Sequence, residues 1–501
     1  MPKINLILLA SVLLINLAGA EAVTERSTKS ADLRVSLGHG DLAIFSDKQP
    51  VQSLETVMAA VFGQLLFVNR SYELSPGLIS RFEWDYKNSW YVLEIRPGTK
   101  FHNGREATAT DLEFSILRGL ISKRAAWAKS FFANIEGIEA AENASSFKSG
   151  MVSGIKPLDR RRLRIRLSAP NPSFLHSLAR SYFSLVPQEA LLPDLYTWKN
   201  LPLGAGPYKV TSLNANRSTA TLERVDSSAG GPARLIVSSA SDFKNPDVSI
   251  NEVAGGLDTE NLSTVASVTG IYFNYDNELG SNPNFRKAVS LSIKRRPLIS
   301  GVESYAMASE LLPSPFWGRC TCGGKFSASE STARLKSLPI PKKLVIPVFN
   351  SSFGDKNLGR YLDVLKEQFA AVGLNVSFVG SDKKFFDKSD KDVPLRILSL
   401  GADLADPLVL FGLFRAGSPM VPHFPAKDQE FDRLYLAAAK ASSLDKKSAA
   451  VKALSQYFVE NVFAVPLFER RALIGVNGKK IKSIGNQDGG NAIYLERFVL
   501  K

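Results

Sequence analysis

A strand, a helix and a second strand follow one another between Leu344 and Phe378, and no other stretch restricts the fold as much. Leu344 to Phe349 is a short apolar run with the length of a buried strand. Leu358, Tyr361, Leu362, Leu365, Phe369 and Val372 then mark one face of a helix. Gly373 stops that helix, and Leu374, Val376 and Phe378 alternate as the next strand. Strands joined in this way lie parallel, with a right-handed crossover. The polar segment Ser381 to Asp392 leads to another apolar strand, Leu395 to Leu400. Residues from about 270 to 480 are therefore expected to form an α/β lobe.

The turn Gly401-Ala402-Asp403-Leu404-Ala405-Asp406-Pro407 begins at the carboxyl end of that last strand. Open α/β sheets bind ligands there. A carboxylate in this place complements an ammonium group, in a charge-assisted bond of roughly 1.5–3 kcal/mol. Asp403, with Gly401 before it, is the candidate for that contact. Asp406 stands directly before Pro407 and fits a residue that only shapes the turn.

Further elements are legible upstream. Leu33 to Leu37 has the pattern of a strand, Ser53 to Phe67 that of an apolar helix, and Trp90 to Ile95 alternates as a strand. Thr108 with Asp111 three residues on begins a helix by a capping-box arrangement. Leu163, Ile165 and Leu167 alternate with Arg162, Arg164 and Arg166, so these arginines form the wet face of a half-buried strand. A chain of 501 residues exceeds what one hydrophobic core serves, which implies two or more lobes.

The N-terminus has a basic start at Lys3, an apolar run from Ile4 to Leu17, and small residues through Ala22. These are the parts of a secretory signal peptide over 1–22. A membrane anchor is the competing reading, but a span needs about 20 apolar residues and this run is shorter. No cysteine lies near the cleavage site, so no lipid anchor is expected. The formal charge of +14 is basic, yet export argues against a nucleic-acid partner. The two cysteines, Cys320 and Cys322, suit either a local disulfide or two free thiols. His39, His102, His176 and His423 are scattered, with no ligand-spaced pair, so no metal or cofactor is expected. No G-x-S-x-G, H-E-x-x-H or phosphate-loop motif occurs, which argues against an enzyme.

Seven segments, in order, carry a resemblance. They are Leu74 to Trp84; Leu93 to Gly104 with Thr108 to Asp111; Ala169 to Phe174; Gly204 to Val210; Phe273-Asn274; Phe285 to Ser290; and Gly401 to Pro407. The chain resembles the family 5 extracellular solute-binding proteins, the dipeptide-, oligopeptide- and nickel-binding class of ABC importers.

The resemblance implies an α/β, two-lobed periplasmic-binding-protein-like fold of type II with an additional inserted subdomain. Lobe one would take 23–50, 200–265 and 481–501, the inserted subdomain 51–199, and lobe two 266–480. A peptide, an oligopeptide in particular, would lie between the lobes and pass to an ABC permease in the inner membrane. The protein would be periplasmic and monomeric. Asp403 would pair with the peptide's α-amine, as its counterpart does in peptide-binding relatives. Asn350 and Phe353 stand where dipeptide binders place a basic residue for the ligand's carboxylate, so a peptide held at both ends is not expected. Phe45, Ser46 and Trp317 lie in loops suited to line the cleft. The alternatives are the same fold with a nickel chelate, haem or oligosaccharide as cargo, and a periplasmic peptidase-like enzyme.

Overall fold

The computed structural model describes residues 32–38, 52–69, 73–85, 88–123, 129–132, 134–168, 171, 173–214, 216–226, 228, 230–240, 243–250, 254–314, 316–323, 325–349, 357–383, 385–401, 406–415, 427–487 and 492–501. Statements below concern these residues.

The strand–helix–strand unit forms as its pattern requires. Strand Leu344–Phe349 pairs in parallel with strand Val376–Ser381, Leu344 opposite Val376, and helix Leu358–Ala370 crosses between them. Gly373 closes the helix with φ +89°, a conformation that favours glycine. Strand Leu395–Gly401 lies on the other side of 344–349, meeting it in parallel at Val348 and Ile397.

These strands form one end of an eleven-stranded mixed sheet. Two long strands, Asp258–Phe273 and Ala464–Val476, pair antiparallel at its middle. The first also pairs with 395–401 and the second with Val248–Ile250. Beyond 248–250 follow Leu33–Ser36, Arg234–Ser238, Thr219–Arg224 and Tyr208–Leu213.

Apolar burial divides along this sheet. Leu33, Val35, Leu235 and Val248 share one core with Ile474 and Val476. Ile271, Phe273, Ile346, Val465 and Phe468 belong to another, and Leu398, Leu408, Phe411 and Val451 to a third beside it. The strand 464–476 therefore starts among one set of apolar side chains and ends among another. Between them Arg470 and Leu473 are half-buried and Arg471 is exposed.

A separate four-stranded antiparallel sheet, ordered 79–85, 90–95, 162–166, 155–157, packs its apolar side into the first core. Leu163 and Ile165 are fully buried while Arg162, Arg164 and Arg166 are exposed, as their alternation requires. Thr108 Oγ1 accepts the Asp111 N–H and the Asp111 carboxylate accepts the Thr108 N–H, closing the capping box on helix Ala109–Ile121. Cys320 and Cys322 are joined in a disulfide.

One element differs from its expectation. The helix expected over Ser53–Phe67 spans Gln52–Phe62. Gly63 takes φ +73° and ends it, and Leu66–Val68 pairs instead with Leu74–Pro76. A continuous apolar run carries no period that separates helix from buried strand.

Gly204 and Gly206 show why small residues stand in their segment. A Cβ on Gly206 would lie 2.6 Å from the Ala60 carbonyl oxygen and 2.6 Å from the Gly63 nitrogen. The same segment holds the 97–104 loop: the His102 backbone N–H donates to Gly204 O at 2.9 Å, and the His102 Nε2 meets Gly206 O at 3.0 Å. Burial keeps the His102 pKa below the usual histidine value, so the ring serves as a neutral hydrogen-bonding group. Gly206→Ala should lower stability by about 1–3 kcal/mol through overpacking. Denaturant unfolding reads this as a lower midpoint at unchanged slope.

Candidate functional site

Strand Leu395–Gly401 delivers the 401–407 turn to the junction between the apolar cores. Gly401 ends the strand opposite Ser267, on the long strand that links the two halves of the sheet. Asp403, two residues further, lies outside the described residues, as do Asn350, Phe353, Phe45 and Ser46. Gly401 and Trp317 are therefore the sequence-predicted site residues whose surroundings can be described.

Trp317 is half-buried and packs against the core formed by Leu408, Phe411 and Phe463. Its indole N–H is buried without a hydrogen-bond partner. The loop that carries it is firmly held. Glu310 is fully buried and accepts the Cys320 N–H at 2.9 Å, the Thr321 N–H at 3.0 Å and the Ser455 hydroxyl at 2.9 Å. Arg319 bridges Glu310 at 3.0 Å and Glu469 at 3.4 Å. Glu469 lies on the strand 464–476 and also accepts the Ser314 hydroxyl. Burial pushes the Glu469 carboxyl above its ordinary pKa, against the opposing pull of Ser314 and Arg319.

The described flank of the turn is Asp406. Its Oδ1 accepts the Leu408 N–H at 3.0 Å, which is the turn-shaping role expected of it. Its Oδ2 does more, accepting the Lys447 ammonium at 2.7 Å and the Ser173 hydroxyl. Lys447 also donates to Ser173 Oγ at 2.5 Å and to Asn171 Oδ1 at 3.2 Å. Burial alone would raise the Asp406 pKa; the Lys447 charge and bond, with those of Ser173 and Leu408, outweigh it and hold the carboxyl below its usual range.

Sequence reasoning did not find this node, although one signal for it exists. On helix Leu444–Glu460 the buried face runs through Lys447, Val451, Leu454 and Phe458. A lysine on an apolar stripe requires a carboxylate buried with it. Lys447 is 1% exposed.

Residues 73–235 match the bacterial extracellular solute-binding proteins, family 5. The family resemblance carried by the motifs holds. The chain is 24% identical over 436 residues to the peptide transport periplasmic protein SapA of Salmonella typhimurium, covering 77% of each. Its fold superposes on the Escherichia coli murein tripeptide binding protein MppA with TM-score 0.72 at 16% identity, covering 94% of this chain and 98% of that one. NikZ from Campylobacter jejuni, solved with Ni(L-His), gives 0.71 at 18% identity, covering 93% and 99%. The fold is accordingly α/β, two-lobed and periplasmic-binding-protein-like, and the chain is of the solute-binding class. Among the described residues no helix is long and apolar enough to cross a membrane.

Removing Lys447 would leave Asp406 buried beside no cation. Lys447→Met should therefore lower stability by about 3–5 kcal/mol, measured by denaturant unfolding. Acid gives an independent check. Asp406 has a pKa below its unfolded value of about 4, so its contribution is full above that pH and lost as pH falls through the folded value. An acid titration followed by circular dichroism should show less pH-dependent loss in Asp406→Asn than in the wild type.

Proposed function

We propose that this chain is the capture component of an ABC importer, a carrier rather than a catalyst, which encloses peptides between its lobes and hands them to a membrane permease. The observation that carries this reading is the placement of Gly401. It ends a strand paired to one of the two linking strands, so the turn holding Asp403 starts at the junction of the apolar cores. Asp403 would receive the peptide's α-amine there. Relatives named for peptide transport and for murein tripeptide support peptide cargo.

The lobes would be 23–50 with 200–265 and 481–501, and 266–480, with 51–199 inserted. Gly401 and Trp317 would line one side of the groove. Phe45, Ser46, Asn350 and Phe353 complete the proposed lining. With Asn350 and Phe353 in place of a basic residue, those two positions would not hold the ligand's carboxylate. Longer peptides suit such a groove better than dipeptides. The mature protein would be a periplasmic monomer without a lipid anchor.

Likeness to a nickel-chelate complex favours one alternative cargo, and the same measurement separates the two. Native mass spectrometry of protein purified from its host should show a ladder of intact peptide masses. A single metal-chelate or porphyrin mass would overturn peptide capture, and cleaved products from an added peptide would overturn the carrier role. Asp403→Asn should weaken peptides with a free amine by about tenfold or more, the worth of one charge-assisted bond, and N-acetylated peptides far less. Equal losses for both would remove Asp403 from this role.

A further inference from the structure

The Lys447 ammonium has three donors, and three acceptors surround it: Asp406 Oδ2, Ser173 Oγ and Asn171 Oδ1. These acceptors come from opposite sides of the junction. Asp406 and Lys447 flank Leu408 and Val451, which belong to the core of the second lobe. Ser173 precedes Phe174, which is fully buried in the first core. Asn171 is held to that same body, because the Tyr91 hydroxyl donates to its carbonyl oxygen at 2.5 Å. Ser173 receives the Lys447 ammonium and donates to Asp406, so its hydroxyl completes a closed ring of bonds.

The geometry points to Lys447 as a positioning residue that latches the second lobe to the inserted subdomain, which shares the first core, and so favours the shut state of the two bodies by tying Asp406 to Asn171 and Ser173. This inference rests on the proposed two-lobed capture mechanism and adds to it the contact that sets the shut population. If the lobes part, Lys447 keeps Asp406 and loses two of its three protein acceptors. Asp406 loses the Ser173 hydroxyl at the same moment. The intact ring therefore forms only when both bodies meet. A ligand that needs the shut state binds more tightly when that state is already populated.

The test uses the full chain without cargo. Asn171→Ala with Ser173→Ala removes the acceptors across the junction and leaves the Lys447–Asp406 pair in place. Small-angle scattering should show a larger radius of gyration for this double variant. Hydrogen exchange should rise at the amides of 174–178 and 408–412 together. The shut-to-open ratio should fall by about tenfold or more, the equivalent of one charge-assisted hydrogen bond. Asn171→Asp, which keeps the acceptor atom, should retain the wild-type radius. An unchanged radius in the double variant, or altered exchange on one side alone, would overturn the latch. Because no cargo is present, this can fail while peptide capture stands. Peptide capture can in turn fail on the co-purified masses without affecting the latch.

Discussion

The antiparallel pairing of strands 258–273 and 464–476 is the constraint on which the rest of the molecule depends. Asp258 faces Val476 at one end and Tyr272 faces Ala464 at the other, so a single ladder runs through both halves of the sheet. Its register shifts between Asn261 and Val265, between Val265 and Ser267, and between Thr269 and Gly270. Such irregularities bend a strand and increase its local twist. The matching part of the partner strand is the least buried, with Arg470 and Leu473 half-buried and Arg471 exposed. A two-stranded waist resists separation through its backbone bonds. It resists twisting and bending much less, since those motions leave the bonds intact. That is the mechanical property a two-lobed binding protein requires.

Charge is buried where the core around Leu408 and Phe411 meets this waist and the core that holds Phe174. Glu310, Glu469 and Arg319 fix the disulfide loop and Trp317 to the linking strand, and Lys447 fixes Asp406. Buried ion pairs contribute little net stability against a well-packed apolar alternative. Their value is geometric. An apolar contact tolerates sliding, whereas an ammonium with three acceptors has one satisfied arrangement. The first core has its own example: Arg180 and Glu55, both buried, join at 2.6 Å and tie the 181–183 segment to helix 52–62.

Local pattern carried much of the fold. Helix 358–370, the Thr108 cap and the alternating arginines follow from spacing, and strands 344–349 and 395–401 from short apolar runs bounded by polar segments. The longer apolar run was less legible. From 53 to 67 nothing in the side chains distinguishes helix from strand, and the positive φ of Gly63 decides. The sheet order was hidden for another reason: Val248–Ile250 meets Val476 across more than two hundred residues, and no local signal names a partner so distant. At the site, chain position located Gly401 correctly at a sheet strand's end. Lys447 on an apolar helix face signals a buried partner, but Asp406, Asn171 and Ser173 could not be named as its partners, because a contact between three separate segments is not encoded in any one of them.

The motifs that carry the family resemblance are largely locks between segments. His102, in the 93–104 segment, bonds Gly204 and Gly206 of another. Asn274 donates to the carbonyl oxygens of Asp390 and Val393, and Arg286 donates to those of Ser281 and Val462. Asn171 and Ser173 meet Asp406 through Lys447. A polar side chain satisfied inside the fold is unavailable to cargo, so these residues can be shared by proteins that carry different solutes. MppA is a murein tripeptide binding protein and NikZ was solved with a nickel–histidine complex, yet both superpose on this one fold. Cargo choice must then reside in side chains that these locks do not engage. Fold and specificity are thus encoded by separate residues, which is why a shared framework can serve unrelated ligands.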